Sequence, residues 1–203
     1  MSSSSDPDYP AQSGDFLETD VIRSAANPLV KRIRSLQRRK ARYTERAFVV
    51  EGFRAVGDVL AAGAKPQVIV LREDAGSDAV MDQFHAQGHP WRRVDARLFE
   101  TLTDQPHAQG VLAVVSMIDQ RPALDVGMGR PPLVLLLDGV RDPGNLGTLF
   151  RSAAGAGVDQ VYLTPETVDP YNPRVVRAAM GAHFRIRFSF IALTEISDML
   201  SSA

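Results

Sequence analysis

Three polar side chains in the segment 138–157, DGVRDPGNLGTLFRSAAGAG, have the types and spacing to act on a ligand. Asp138 ends an apolar run, Asn145 follows a loop that contains glycine and proline, and Arg151 comes six residues later. A carboxylate, an amide and a guanidinium can orient a polar substrate and stabilise a developing negative charge. Because ligands of open α/β sheets bind at the carboxyl ends of strands, this loop is a candidate site.

The glycine spacing around this loop excludes the two common phosphate-binding motifs. Gly139, Gly144 and Gly147 do not form G-x-G-x-x-G, and no Gly-Lys-Ser/Thr follows them. Nicotinamide and ATP sites are therefore disfavoured. A second interpretation makes Asn145 only a helix cap, the glycines turn residues and Arg151 a solvated helix residue, and the residues alone leave both interpretations open.

Composition excludes further chemistries. The chain has no cysteine, which rules out disulfides, thiolate metal sites and cysteine nucleophiles, and its four histidines (His85, His89, His107 and His183) are too scattered for a zinc site. We therefore expect no metal. No apolar run approaches about 18 residues, and MSSSSDPDYP lacks the basic and apolar regions of a signal peptide. The sequence predicts a cytosolic protein without membrane contact.

The elements around the candidate site predict an α/β unit. LVLLLD (133–138) has the pattern of a central parallel strand buried on both faces, and Asn145 is predicted to cap a helix that Gly155 or Gly157 ends. QVYL (160–163), a helix capped by Asn172, and a strand in RIRFSF (185–190) complete a βαβαβ series. Three strands leave a narrow sheet with one poorly covered face, so we expect the unit to be incomplete or completed by another copy.

The first half also alternates strand and helix patterns. The predicted strands are AFVVEG (47–52), QVIVL (67–71), a short strand at 91–94 and GVLAVV (110–115). Three predicted helices separate them: one that ends at Gly63, one at 77–87 and one around Leu98. This series predicts a mostly parallel sheet covered on both faces. RPALDVGMGRPP (121–132) has three prolines and two glycines without a period. We therefore predict a disordered tail at 1–20, a first domain at 21–118, a linker at 119–132 and a second domain at 133–203.

Charge is sorted along the chain although the net charge is only −1. Residues 21–46 hold nine Lys or Arg against Glu45 alone, and Leu29, Ile33 and Leu36 recur at helical spacing between them. A helix with a cationic outer face suits a phosphate backbone, and a solvated helix face is the alternative. The candidate contacts in this segment are Arg32, Arg34, Arg38, Arg39, Lys40 and Arg42.

Four segments resemble one family. DPGNLGTLFRSAAGAG (142–157) closely resembles the first signature motif of the SpoU (TrmH) RNA ribose 2'-O-methyltransferases, whose core is matched by Asn145, Gly147 and Arg151. DPYNPRVVRAAMGAHF (169–184) resembles a second region of the family. FVVEGFRAVGDVLAAG (48–63) and LTDQPHAQGVLAVV (102–115) resemble its N-terminal substrate-binding domain. The resemblance covers roughly residues 23–190 in the family's order.

The resemblance implies a small α/β substrate-binding domain followed by an α/β-knot (SPOUT) methyltransferase domain. The second domain is expected to be incomplete, because the family's second and third motifs have no counterpart before Ala203. The cofactor pocket is expected mainly in that absent part, so its residues are unknown. The family's enzymes are homodimers that transfer a methyl group from S-adenosylmethionine to a ribose 2'-hydroxyl of rRNA or tRNA.

The resemblance also assigns roles to residues. Asn145 and Arg151 are expected to be catalytic, with Asn145 orienting either Arg151 or the ribose. Because a guanidinium keeps its proton in proteins, Arg151 is expected to bind the adjacent phosphate and stabilise the developing alkoxide. Arg141, Arg174 and Arg177 are candidate RNA contacts or ordinary surface arginines. The alternative function is a non-catalytic RNA-binding module with a truncated methyltransferase scaffold.

Overall fold

The computed structural model describes residues 21–75, 88–104, 108–118, 131–192 and 194–196. The predicted tail at 1–20, the predicted helix at 77–87, most of the predicted linker and the expected knot lie outside these residues. Within the described ranges, no helix is both long enough and apolar enough to cross a membrane.

The N-terminal half, residues 21–118, follows the predicted series of short elements. They are β1 (Val21–Ile22), α1 (Pro28–Ser35), α2 (Arg39–Glu45), β2 (Ala47–Glu51), α3 (Phe53–Ala61), β3 (Pro66–Arg72), β4 (Trp91–Val94), α4 (Ala96–Glu100) and β5 (Val111–Ser116). Their strands form one sheet in the order β1-β4-β3-β5-β2.

This sheet is mixed, so the prediction of a mostly parallel sheet was wrong. β4 is parallel to both β1 and β3, whereas β5 runs antiparallel to β3 and β2. Apolar runs report that a strand is buried but not its direction. Period-two alternation does assign the faces, because Phe48 and Val50 enter one core cluster while Ala47 and Val49 enter the other.

The basic segment forms two helices instead of the single one predicted. Asn27 caps α1 by accepting a hydrogen bond from Leu29 N at 2.9 Å, and Pro28 occupies the first turn. Ile33 and Leu36 are buried as their spacing predicts. The chain turns at Arg38, whose φ of −94° and ψ of 133° are extended, and α2 then begins at Arg39.

The C-terminal half, residues 131–196, has the predicted βαβαβ order. Its elements are β6 (Val134–Leu137), α5 (Pro143–Ala156), β7 (Gln160–Leu163), α6 (Pro173–Ala179), a 3₁₀ turn (Ala182–Phe184) and β8 (Phe188–Phe190). The strands are parallel in the order β6-β7-β8. β6 is thus an edge strand among the described residues, and Leu136 is 40% exposed. The predicted burial of residues 133–138 on both faces is not observed among the described residues, where β6 has one neighbouring strand.

The two halves share one hydrophobic core. Phe48 of β2 lies 4.9 Å, between ring centroids, from Tyr171 in the loop before α6. Side chains from β2, β3 and β5 and from α5, β7 and α6 belong to the same buried cluster. The described parts of the two sheets are therefore held in a defined relation, which places α3 of the first half against the turn after α6.

Candidate functional site

The helix that bears the candidate site begins one turn earlier than predicted. Asp142, not Asn145, is the N-cap of α5, and its Oδ1 accepts a hydrogen bond from Asn145 N at 2.7 Å. Pro143 occupies the first turn, where its fixed φ suits a helix and its missing N–H is not needed. The prediction that Asn145 is the cap was therefore wrong. Asn145 is exposed in the first turn, with its side chain available to a ligand.

The loop before α5 is tied to the carboxyl end of the neighbouring strand. The Thr164 hydroxyl donates to Asp138 Oδ1 at 2.9 Å and accepts from Gly139 N at 3.0 Å. The Thr167 hydroxyl donates to Leu137 O at 3.1 Å. Asp138 therefore fixes the loop after β6 against the residues that follow β7, which is a structural use of this carboxylate.

Gly147 has a packing role. A Cβ atom added to it would lie 2.8 Å from both Ala179 N and Val175 O, so it allows α5 and α6 to pack at backbone contact. Such distances are far below ordinary van der Waals contact. The glycine of the signature motif is thus explained by the helix contact, and its presence does not by itself separate an enzyme from a non-catalytic scaffold.

Arg151 lies nine residues into α5 and is exposed. It lines a cleft between the two halves, here called the arginine cleft. The lining residues are Arg54, Asp58, Arg151, Ala154, Gly155, Ala179, Met180, Ala182 and Arg185. The other lining residues from α5 and α6, namely Ala154, Gly155, Ala179 and Met180, lie at or next to the C-terminal ends of these helices.

Asn145 and Arg151 point in different directions on α5. Six residues of helix separate them by about 9 Å of rise and about 120° of rotation. No hydrogen bond joins the two side chains within the described ranges. Of the two roles expected for Asn145, contact with a bound ribose is therefore compatible with this geometry, whereas direct orientation of Arg151 is not.

The cationic side chains of the first half differ in how they are engaged. Arg32 donates to Glu45 at 2.8 Å and also to Gln67, and Arg34 donates to the Thr101 hydroxyl. Arg39 lies over the Tyr43 ring at 5.0 Å. Among the predicted contacts of this segment, Arg32 and Arg34 are half-buried, whereas Arg38, Arg39 and Lys40 are exposed. This stretch at the turn between α1 and α2 is the exposed cationic surface.

Arg42 does not belong to that surface, and its selection as an RNA contact was wrong. It is 2% exposed, forms an ion pair with Asp169, and donates to Leu36 O at 3.0 Å and Gln37 O at 2.8 Å. Tyr43 donates to the other oxygen of Asp169 at 2.9 Å, and burial followed by the Asp169 charge raises the tyrosine pKa to about 12. Arg42 therefore joins the two halves, and an arginine paired in this way cannot reach a phosphate.

The three candidate arginines of the second half lie in different surroundings. Arg141 is exposed in the loop before α5. Arg174 is 72% exposed at 3.9 Å from Asp104, and Arg177 donates to Asp104 at 2.8 Å and lies 3.6 Å from Glu51. The hydrogen bond from Arg177 lowers the Asp104 pKa, whereas burial raises the Glu51 pKa. Arg177 thus also bridges the halves.

Sequence reasoning missed Arg54, Asp58 and Arg185, the other charged residues of the arginine cleft. Arg54 and Arg151 are almost a hundred positions apart in the sequence, so no local spacing indicates that they meet. Among the described residues, no group of three or more His, Asp or Glu side chains could hold a metal ion.

Comparison with known proteins gives consistent results for both halves. Residues 27–113 match the family model described as "MRM3-like substrate binding domain". Residues 132–203 match the model described as "SpoU rRNA Methylase family". The two matches occur in the same order as the two sheets.

Individual relatives agree with these family matches. The chain is 36% identical over 168 residues to rRNA methyltransferase 3A, mitochondrial, of Danio rerio. The aligned region covers 80% of this chain and 38% of the relative. It is 30% identical over 165 residues to 23S rRNA (guanosine(2553)-2'-O)-methyltransferase RlmP of Bacillus subtilis, covering 81% of this chain and 62% of the relative. The chain thus spans less than two thirds of the length of these curated relatives.

A solved structure shows the same arrangement. The AdoMet-bound rRNA methyltransferase from Sinorhizobium meliloti superposes with a TM-score of 0.77 and 32% sequence identity, covering 91% of this chain and 69% of that one. Because the superposition covers both halves, the relation between the two sheets is shared as well as their separate folds.

Proposed function

The chain belongs to the SpoU family of rRNA methylases, and from this premise we propose that it transfers a methyl group from S-adenosylmethionine to a ribose 2'-hydroxyl of rRNA or tRNA. The observation that supports this proposal is the position of Arg151. Its guanidinium is exposed in a cleft between the two halves, makes no ion pair within the described ranges, and lies on the helix that begins at the carboxyl edge of the sheet.

Methyl transfer to a hydroxyl requires the oxygen to be aligned with the donor and to lose its proton. Arg151 keeps its own proton, so its role is to bind an anionic oxygen and stabilise the charge that develops on the ribose. Asn145, exposed in the first turn of α5, is placed to hydrogen-bond the ribose. We assign the acceptance of the hydroxyl proton to none of the described residues.

S-adenosylmethionine would supply the methyl group as a sulfonium when bound. The polar groups at the carboxyl edge (Asp138, Thr164 and Thr167) are engaged with one another or with the backbone. Among the described residues, the buried side-chain atoms without a hydrogen-bond partner belong to Arg42, Gln160 and His183, none of which lines the arginine cleft.

RNA binding is proposed to use the exposed cationic surface of the first half and the arginines near α5 and α6. Each phosphate contact releases a counterion, so binding should weaken steeply with salt. The proposed contacts are Arg32, Arg34, Arg38, Arg39, Lys40, Arg141, Arg174 and Arg177. Within the described ranges, the side chains of Arg38, Lys40 and Arg141 need no change of partner to reach RNA, whereas Arg39 lies over the Tyr43 ring.

The oligomeric state and the location of the protein were also predicted from the sequence. We propose a homodimer, supported by β6, which is an edge strand among the described residues: Leu133 just before it is 47% exposed and Leu136 within it is 40% exposed. The predicted cytosolic location stays a prediction, because the relatives include bacterial and mitochondrial proteins. The alternative of a non-catalytic RNA-binding module has no support from the comparisons, whose members are named rRNA methyltransferases.

The test is methyl transfer from labelled S-adenosylmethionine to total rRNA and tRNA, using the protein as the cell makes it. Arg151→Ala should lower the rate by about a hundredfold or more, the scale for removing a preorganised charge from a transition state. Arg97→Ala, an exposed arginine on α4 outside the cleft, is the matched control and should leave the rate unchanged. Equal incorporation by wild type and Arg151→Ala would remove Arg151 from the mechanism.

A further inference from the structure

The arginine cleft joins positive charge from both halves of the molecule. Arg54 comes from α3 of the first half, Arg151 comes from α5 of the second half, and Arg185 follows the 3₁₀ turn. Asp58 is the only acidic residue among those that line the cleft, so its lining has a net charge of +2. Low-dielectric walls around like charges concentrate their field on an anion that enters.

Arg54 and Arg151 differ from the other arginines at the contact between the halves. Arg42 pairs with Asp169, Arg177 with Asp104, and Arg185 donates to Asp58 at 3.3 Å. Asp58 lies four residues after Arg54 on α3, which is the spacing of a helical ion pair, yet its carboxylate faces Arg185. Within the described ranges, Arg54 and Arg151 form no ion pair, and both are exposed.

The backbone around the cleft keeps its two sides close together. A Cβ atom on Gly181 would lie 2.6 Å from Asp58 Cβ, so the turn after α6 packs directly against α3. The surface between the arginines consists largely of small residues, namely Ala154, Gly155, Ala179 and Ala182. Small side chains leave room for a phosphate group to approach the guanidinium groups without displacing a bulky neighbour.

We propose that the arginine cleft is a subsite for one RNA phosphodiester, bound jointly by Arg54 of the first half and Arg151 of the second. This inference rests on the proposed function for the identity of the polyanion as RNA. A planar guanidinium pairs with two oxygens of one phosphate, and two such groups fix its position. Arg54 is then a positioning residue through which the substrate-binding half places the RNA beside Arg151.

The charge of the cleft favours this ligand over the methyl donor. S-adenosylmethionine has a sulfonium, an ammonium group and one carboxylate, so its net charge is +1, and a lining of net charge +2 repels it overall. A phosphodiester has one negative charge and no cationic group. Binding of the cofactor alone should therefore not depend on Arg54.

The experiment is the salt dependence of binding to a fluorescein-labelled single-stranded RNA of about 16 nucleotides, measured by anisotropy without cofactor. In Arg54→Gln the slope of log K against log salt should fall in magnitude by about 0.7, the value for one lost phosphate contact on a single strand. Arg97→Gln, also at the second position of a short helix but outside the cleft, should keep the wild-type slope.

Two further variants protect the test against a folding defect. Asp58→Asn removes the one carboxylate of the cleft, so RNA should bind more tightly with a steeper slope, a gain that misfolding cannot produce. In the double variant Arg54→Gln with Arg151→Gln, the losses should be smaller than the sum of the single losses, because both residues hold one phosphate.

The subsite would be overturned by any of three results: a salt slope unchanged in Arg54→Gln, a salt slope reduced equally in Arg97→Gln, or weaker RNA binding by Asp58→Asn. A weakened affinity of Arg54→Gln for S-adenosylmethionine with RNA binding intact would overturn it too. Methyl transfer by the wild-type protein is measured in parallel. If the wild-type protein transfers methyl groups but the salt slope of Arg54→Gln is unchanged, only the subsite is refuted. If the salt slope falls in Arg54→Gln but the wild-type protein transfers no methyl group, only the proposed enzymatic function is refuted.

Discussion

Replacing Gly147 by alanine should destabilise the protein although alanine is the better helix former. In the interior of α5 the substitution gains about 1 kcal/mol of helix propensity. The new Cβ, however, would lie 2.8 Å from two backbone atoms of α6, Ala179 N and Val175 O, and neither can rotate away. Forcing a methyl group into a packed site costs about 1 to 3 kcal/mol.

The Cβ of Ala178 would be closer still, and it is as fixed as the two backbone atoms. We therefore expect a penalty near the upper end of that range and a net loss of about 2 kcal/mol. Gly155 on the same helix is the matched control, since nothing lies within 4 Å of a Cβ added there. Gly155→Ala should therefore keep most of the propensity gain, about 0.5 to 1 kcal/mol.

The assay is thermal unfolding followed by circular dichroism at fixed pH and salt. For a chain of this size 1 kcal/mol corresponds to about 2 to 4 °C, so Gly147→Ala should lower Tm by about 4 to 8 °C and Gly155→Ala should raise it by about 1 to 4 °C. Shifts of the same sign in the two variants, or an unchanged Tm in Gly147→Ala, would refute the argument that close packing of α5 on α6 requires this glycine.

Burial lowers the pKa of His183 to about 4, whereas the unfolded chain takes up this proton near pH 6.5. The neutral ring therefore contributes fully to the free energy of unfolding above pH 6.5, and this contribution is lost as the pH falls towards 4. The midpoint of urea unfolding should accordingly fall less between pH 6.5 and 4 in His183→Phe than in the wild-type protein. Asp169→Ala leaves Arg42 buried without its partner and should lower the free energy of unfolding by about 3 to 5 kcal/mol. Asp74→Ala breaks an exposed pair and should change it by less than about 1 kcal/mol, so equal losses in thermal melts would contradict a structural role for the buried pair.

Local patterns were sufficient for most helices and strands. Three elements are specified by residues that are close together in the chain, and the structure has all three. They are the helix predicted by the spacing of Leu29, Ile33 and Leu36, the helix capped by Asn172 and the strand QVYL. The error at Asn145 was also local. The dipeptide Asp142-Pro143 is itself a cap followed by a first-turn proline, and this signal outweighs the asparagine two residues later.

Strand neighbours and directions could not be predicted in the same way. β5 runs antiparallel between two strands that precede it. Among the described residues β6 has one neighbouring strand although its own residues are continuously apolar. Apolar periodicity reports how much of a strand is buried, but hydrogen bonds between distant segments decide which strand lies beside it.

By itself the sequence determined the family, most of the elements and the presence of Asn145 and Arg151 after the first strand of the second half. Only the tertiary structure decided which charged groups meet: Arg42 reaches Asp169 across 127 positions, and Arg54 comes to line the cleft of Arg151. The physical reason is that helix caps and periodicity act over a few residues, whereas ion pairs and shared clefts depend on how separate elements pack in space.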